Sequence, residues 1–357
     1  MAPEEAVNPA WRAFALDPPR ANGLPPVSGM IRAETSDFVV EEYLGFAPDG
    51  GAAHQLLWVE KQDANTLFVA RALAAKLGCP EADVGFAGMK DRRAITRQWF
   101  SVPARRDGAA LAGFVGEGFR VLSAHPHSRK LRRGALAGNR FSLRVRDLTG
   151  DAQALARRLE AVAANGFPNY FGSQRFGHDG ANLDRVRRFT ADGRLPRARE
   201  GRGFLLSSGR ALAFNAVLAG RVRAGSWNRL LRGEIVNLAG SASVFAIDNP
   251  DDTLAQRCRD GDIGPTGPLC GEGGMQPATD AGAAELPALL ALAPLPERLG
   301  GAGLRAERRA LVVRPKGMKV RLGAGLLDLQ FELPRGAFAT SFLREIVQAS
   351  VPDVDAD

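Results

Sequence analysis

Cysteine is scarce: three residues, Cys79, Cys258 and Cys270, lie far apart in a chain of 357. An odd, sparse set argues against a disulfide framework and fits a reducing compartment. Metal-ligand spacing is missing as well. His125 and His127 are the only close His or Cys pair, and they lack partners, so no zinc or other metal is expected. His54 stands alone near a strand start and reads as structural. No run of about 18 apolar residues occurs, which argues against a membrane-spanning helix. The opening Met1-Ala2-Pro3-Glu4-Glu5 lacks the basic and apolar regions of a secretory leader, so a cytoplasmic location is expected.

What the chain does have is charge of one sign. Its net charge is +8 and its isoelectric point about 10. A basic chain of this kind tends to meet polyanions, nucleic acid first. Clustering strengthens that reading. Seven basic residues and no acid fall between Ser128 and Arg146: Arg129, Lys130, Arg132, Arg133, Arg140, Arg144 and Arg146. A second stretch runs through Arg305, Arg308, Arg309, Arg314, Lys316, Lys319 and Arg321, interrupted by Glu307. Both look like a footprint for a phosphate backbone.

The length suits two domains, and 45% hydrophobic residues can bury a substantial core. The Pro- and Gly-rich start, to about Ser28, is expected to be poorly ordered. Asp37–Glu42 and Gln55–Val59 read as strands. Thr66 is placed to cap a helix through Leu67, Ala70, Leu73, Ala74 and Leu77, ended by Gly78. Phe141, Leu143 and Val145 alternate with Ser142, Arg144 and Arg146, a half-buried strand with a basic outer face. Ala152–Ala164 reads as a helix stopped by Gly166 and Pro168. Ser207 or Ser208 is expected to cap a helix through Leu212 and Val222. Gly261–Pro277 reads as a long loop, and Ala281–Leu299 as one or two helices. Met318, Val320 and Leu322, then Leu327, Leu329, Phe331 and Leu333, form a predicted hairpin with basic and acidic groups facing across it. Thr340 or Ser341 is placed to cap a last helix with Phe342, Leu343, Ile346 and Val347 inward. The order is consistent with a β-rich domain interrupted by an inserted one.

Chemistry concentrates at Gly88-Met89-Lys90-Asp91-Arg92-Arg93. Here one carboxylate sits between Lys90 and the Arg92-Arg93 pair, and a strand-like run, Ile95–Val102, follows. Nearby cations favour the ionised form, so Asp91 is suited to act as a nucleophile on an anionic polymer.

These residues carry a resemblance. The chain resembles the TruD-type tRNA pseudouridine synthases. The motifs are Phe86-Ala87-Gly88-Met89-Lys90-Asp91-Arg92-Arg93-Ala94-Ile95-Thr96-Arg97-Gln98-Trp99, then Lys130-Leu131-Arg132-Arg133-Gly134-Ala135-Leu136-Ala137-Gly138-Asn139-Arg140-Phe141, then Pro168-Asn169-Tyr170-Phe171-Gly172-Ser173-Gln174-Arg175-Phe176-Gly177. Weaker echoes lie at Asp37–Glu42, at Ser207–Asn215, at Gly336–Thr340 and at Leu343-Arg344-Glu345. Together they span nearly the whole chain in the family's order.

The resemblance implies an α+β fold. A mixed, largely antiparallel sheet would form the catalytic domain from residues 1–165 and 311–357, interrupted by an α/β insertion at 166–310. It implies isomerisation of uridine to pseudouridine in tRNA, at position 13, with no metal, no organic cofactor and no obligate protein partner. Asp91 matches the catalytic nucleophile, attacking either the base or the sugar C1′. Phe141 matches an aromatic that replaces the stacking of a flipped-out uracil, although its place in the strand alternation also suits the core. Asn139 is placed to read the uracil edge or fix the loop. Arg32 stands where family members commonly carry Lys, and either cation can pair with the nucleophile. Lys90, Gln174 and Arg175 complete the expected substrate contacts, and Arg129, Lys130, Arg132 and Arg133 the backbone contacts. Two alternatives stay open: an RNA-binding module without chemistry, and a carboxylate hydrolase. The second fits poorly, because such an enzyme gathers several carboxylates around a metal and the surroundings of Asp91 are basic.

Overall fold

Alternation with period two builds most of the sheet. The computed structural model describes residues 8–104 and 111–352. In chain order come α1 (Pro9–Leu16), β1 (Val27–Ile31), β2 (Phe38–Leu44), β3 (His54–Gln62), α2 (Thr66–Leu77), β4 (Gly85–Phe86) and β5 (Ile95–Pro103). Then follow β6 (Val115–Gly116), β7 (Phe119–His127), β8 (Leu136–Gly150), α3 (Ala152–Asn165), β9 (Phe167–Pro168), α4 (Ala181–Asp192) and α5 (Arg199–Arg223). The chain continues through β10 (Ile235–Leu238), β11 (Val244–Ala246), α6 (Asp252–Asp260), β12 (Ile263–Leu269), α7 (Thr279–Leu290) and α8 (Leu295–Gly301). It closes with β13 (Glu307–Ala310), β14 (Val312–Val313), β15 (Lys316–Gly323), β16 (Leu326–Pro334), α9 (Ala339–Ile346) and β17 (Gln348–Ser350). The fold is mixed α+β, and none of its described helices is long and apolar enough to cross a membrane.

The chain divides into two compact units. The sheet unit comprises Pro26–Ala152, Pro315–Gly336 and the chain from Val347. The helical unit comprises the chain up to Pro25, Gln153–Arg314 and Ala337–Ile346. It therefore reaches beyond the expected 166–310 segment at both ends and takes in α1 and α9.

In the sheet unit eleven described strands form one sheet, ordered β15-β16-β8-β2-β5-β3-β7-β6, with β1 pairing β8 and β17, and β4 pairing β5. The β2–β5 pair is parallel; β2–β8, β8–β16 and β3–β5 are antiparallel. Register brings Val40 and Phe331 beside Phe141 on the two flanks of β8, and Glu42 beside Asn139. In the helical unit α5 is the axis, covered along most of its length and packed among α1, α4, α7 and α8.

Local differences from expectation have local causes. Residues 8–28 are not formless: Asn8 caps α1 through its side chain, with Pro9 at the first helical position, and β1 begins at Val27. The remainder of that stretch, residues 1–7, lies outside the described residues. Asn65, not Thr66, caps α2, accepting from the Phe68 amide at 2.8 Å. Ser207 and Ser208 lie inside α5; the Ser208 hydroxyl donates back to the Phe204 carbonyl four residues earlier. Gly261–Pro277 contains strand β12, buried along most of its length despite two prolines. Thr340 and Ser341 lie within α9 instead of capping it, and the Ser341 hydroxyl donates to the Tyr170 carbonyl. The β15–β16 hairpin forms, but β15 is an edge strand whose Val320 and Leu322 stay exposed. The acids of β16 pair the other way, Asp328 with Arg144 and Glu332 with Arg140, across to β8.

Candidate active site

Asp91 lies in the turn between β4 and β5, and two cations fix it. The Arg32 guanidinium donates to its carboxylate at 2.5 Å. The Lys61 ammonium donates to its main-chain carbonyl at 2.7 Å and to the Ala64 carbonyl at 2.8 Å. The carboxylate stays 38% exposed, while Arg32 is mostly covered. So the anion is held by its backbone and by one oxygen, yet remains open to a partner. Arg32 and Arg93 line a small cavity of about 310 Å³ beside it, with Asp63 and Thr35.

Arg32 is anchored from the other side. It takes a backbone conformation with φ of +58°, unusual for a non-glycine residue, and its guanidinium rests 4.1 Å above the Phe38 ring. Phe38 meets Phe141 edge to face at 6.4 Å, and Phe141 stacks on Phe331 at 5.3 Å. Thus Asp91, Arg32, Phe38, Phe141 and Phe331 form one continuous line. Phe141 takes the core position that the strand alternation implies and is 6% exposed.

The cations next to Asp91 in sequence do not serve it. Lys90 turns inward, donating to Asn139 Oδ1 and pairing with Glu42, both at 2.7 Å. Burial pushes the Glu42 carboxyl up, and Lys90 opposes the shift. The Lys90 amide donates to the Thr66 hydroxyl, which donates to Gln98, whose amide donates to the Gly88 carbonyl. This buried network clamps residues 88–90. Arg92 donates to the Asp63 carbonyl at 3.1 Å.

Lys61, Glu42 and Gln98 escaped the sequence reading, although a signal existed. Each is in phase with apolar neighbours: Lys61 with Leu57 and Val59, Glu42 with Phe38 and Val40, Gln98 with Phe100. A charged or amide side chain on an inward phase needs a buried partner. Burial lowers the Lys61 ammonium to about 8, with the Asp91 charge opposing.

The other expected residues fall in two places. Arg129, Lys130, Arg132 and Arg133 are exposed on the sheet unit. Lys130 donates to the Ala82 carbonyl, and the Arg133 guanidinium sits 3.7 Å over the Phe86 ring. Arg140, Arg144 and Arg146, from the same basic run, are tied to Glu332, Asp328 and Asp37. Gln174 and Arg175 belong to the helical unit, where Arg175 donates to the Ser207 hydroxyl at 3.1 Å and lines a cavity of about 440 Å³. The second basic run is partly scaffold. Arg308 pairs with buried Glu285, and Arg309 lies 4.2 Å over the Phe171 ring while donating to Asn169. His54 sits at the start of β3, with its Nδ1 buried and lacking a hydrogen-bond partner. Among the described residues no group of three or more His, Cys, Asp or Glu is placed to hold a metal ion.

Comparison with known proteins decides the family. The sequence matches the profile described as tRNA pseudouridine synthase D (TruD) over residues 20–201 and 199–346. The chain belongs to the tRNA pseudouridine synthase D family. Relatives of that name include one from Chromohalobacter salexigens, 42% identical over 93% of this chain and 97% of its own. Another, from Methylococcus capsulatus, is 43% identical over 93% and 94%. A solved structure from Methanosarcina mazei, described as a candidate tRNA pseudouridine synthase D, covers 96% of this chain and 98% of its own at a TM-score of 0.70 and 21% identity, a likeness of fold. As a family member this protein is an enzyme, an isomerase.

Proposed function

We propose that this protein converts uridine to pseudouridine in tRNA, at position 13, with Asp91 as nucleophile on a uridine swung out of its strand. The observation that carries the reading is the mounting of Asp91: a half-open carboxylate paired with Arg32 and fixed through its own carbonyl by buried Lys61. A nucleophile must be reachable and aimed; these contacts supply both. Arg32 offsets the charge while one oxygen attacks the base or C1′. The C1′–N1 glycosidic bond then breaks, the uracil turns, and its C5 bonds to C1′; the bond to Asp91 is released, C5 loses its proton and N1 gains one. Substrate and product are isomers, so no water is consumed, and a closed site protects the detached base.

Extruding a base costs a few kcal/mol, and stacking on an aromatic returns about 1–3 kcal/mol. Phe141 is the proposed stacking partner, connected to the Arg32 guanidinium through Phe38. Asn139 is the proposed reader of the uracil edge, since Lys90 occupies its Oδ1 and leaves the amide NH₂ as a donor. Arg129, Lys130, Arg132 and Arg133 are proposed for the RNA backbone, and Gln174 and Arg175 for RNA contacts from the helical unit. Residues 166–310 are the proposed insertion, interrupting a catalytic domain built from 1–165 and 311–357.

Mapping pseudouridine in tRNA from cells lacking this protein tests the proposal. Loss confined to position 13 is the expected result. Unchanged position 13 with a loss elsewhere overturns the target, and an unchanged map overturns the reaction.

A further inference from the structure

A second groove on the sheet unit shares no lining residue with the cavity beside Asp91. Its volume is about 760 Å³. We propose that it binds an unpaired nucleotide of the tRNA, with the base stacked on Phe46 and the phosphates on Arg129 and Arg132. The proposal rests on tRNA being the substrate.

Phe46 follows β2 and is 43% exposed. It is not loose. The ring stacks on His127 with centroids 5.4 Å apart and planes 14° from parallel. His127 is 7% exposed, so it forms the floor and Phe46 the open platform. The carrying loop is clamped. Asp49 accepts from the Ser128 amide at 2.8 Å, from the Ser128 hydroxyl, and from the Gly51 amide at 3.0 Å. Its carboxylate also faces His127 Nδ1 at 3.1 Å. Gly51 approaches Ser128 so closely that a Cβ there would lie 2.6 Å from its backbone. Asp49 is thus consumed in holding the loop.

The rim is cationic. The Arg129 and Arg132 guanidinia have no carboxylate partner among the described residues, and both are exposed. Lys130 lies between them. His54 closes the groove, and its Nδ1 is buried without a hydrogen-bond partner, ready for a polar atom of a ligand. A flat aromatic platform beside unpaired cations is the arrangement that holds single-stranded nucleic acid. An acidic peptide could use the cations but gains nothing from a rigid, face-stacked ring.

The test is the dissociation constant for an unmodified transcript of a tRNA carrying uridine at position 13, with Phe46→Ala, Phe46→Leu and Phe46→Trp. Stacking predicts that Phe46→Ala weakens binding between about fivefold and a hundredfold, that Phe46→Leu is nearly as weak, and that Phe46→Trp binds within twofold of the parent. Phe46→Ala within twofold of the parent overturns the subsite, as does Phe46→Trp as weak as Phe46→Leu. Parent protein that fails to bind the transcript at all undoes the substrate reading instead.

Discussion

Asp91 shows what the residue scale can and cannot disclose. Its position between Lys90 and the Arg pair drew attention, but Lys90 and Arg92 turn away and Arg32, 59 positions upstream, supplies the pairing charge. Local sequence reports which charges exist and not which way they point. Arg32→Lys should keep measurable turnover, because a point charge can still pair with the carboxylate. Arg32→Ala should lower kcat/KM by about a hundredfold, the scale of a displaced reactive group. Parental kinetics for Arg32→Ala would remove Arg32 from the site. Lys61 makes a pH prediction. Its ordinary pKa of 10.5 falls to about 8 in the fold. Between those values the unfolded chain holds the extra proton, so stability gains with rising pH; below about 8 the burial penalty is at its full size, roughly 3 kcal/mol. Unfolding free energies of the parent and Lys61→Met, measured from pH 7 to 10.5, should therefore converge or cross in the parent's favour. Parallel curves would contradict the burial of a titrating ammonium.

At the scale of elements, period and capping were legible where one side of an element faces the core. β2, β3, β5, β16, α2 and α3 all appear close to their expected limits, while β8 runs on beyond the expected Phe141–Arg146 at both ends. The misses share a cause: tertiary partners overrode local signals. Two prolines made β12 read as loop, yet β12 pairs with β10 and β13 on both sides. Alternation made β15 read as half-buried, yet nothing among the described residues packs on Val320 and Leu322 as a core. Ser207 and Ser208 read as caps, yet the helix continues through them. Glycine sites separate the two kinds of constraint. Gly166 ends α3 at φ +78°, and a Cβ there would lie 2.5 Å from the Val313 carbonyl oxygen. Gly166→Ala should cost more than about 1 kcal/mol. Gly220 lies within α5, and a Cβ there would meet nothing within 4 Å, so Gly220→Ala should stabilise by up to about 1 kcal/mol. Thermal melts of the two variants should move in opposite directions; shifts of the same sign would contradict this account.

For the whole molecule, net charge pointed to a polyanion, but it overstated how much charge is free. Arg140, Arg144, Arg146, Arg221 and Arg308 are consumed by internal carboxylates. Arg129 and Arg132 are not. Salt dependence separates the groups: Arg129→Ala should flatten the slope of log affinity for tRNA against log salt by about 0.7–0.9, and Arg144→Ala should leave it nearly unchanged. Equal slopes for both would mean that the basic run is not the backbone contact. The central claim is that one carboxylate performs the reaction while other groups hold the RNA. Pseudouridine formation and tRNA affinity, measured side by side for folded Asp91→Asn and Asp91→Ala, test it most directly. The account predicts no product above background with affinity within a few-fold of the parent; turnover by either variant would contradict it.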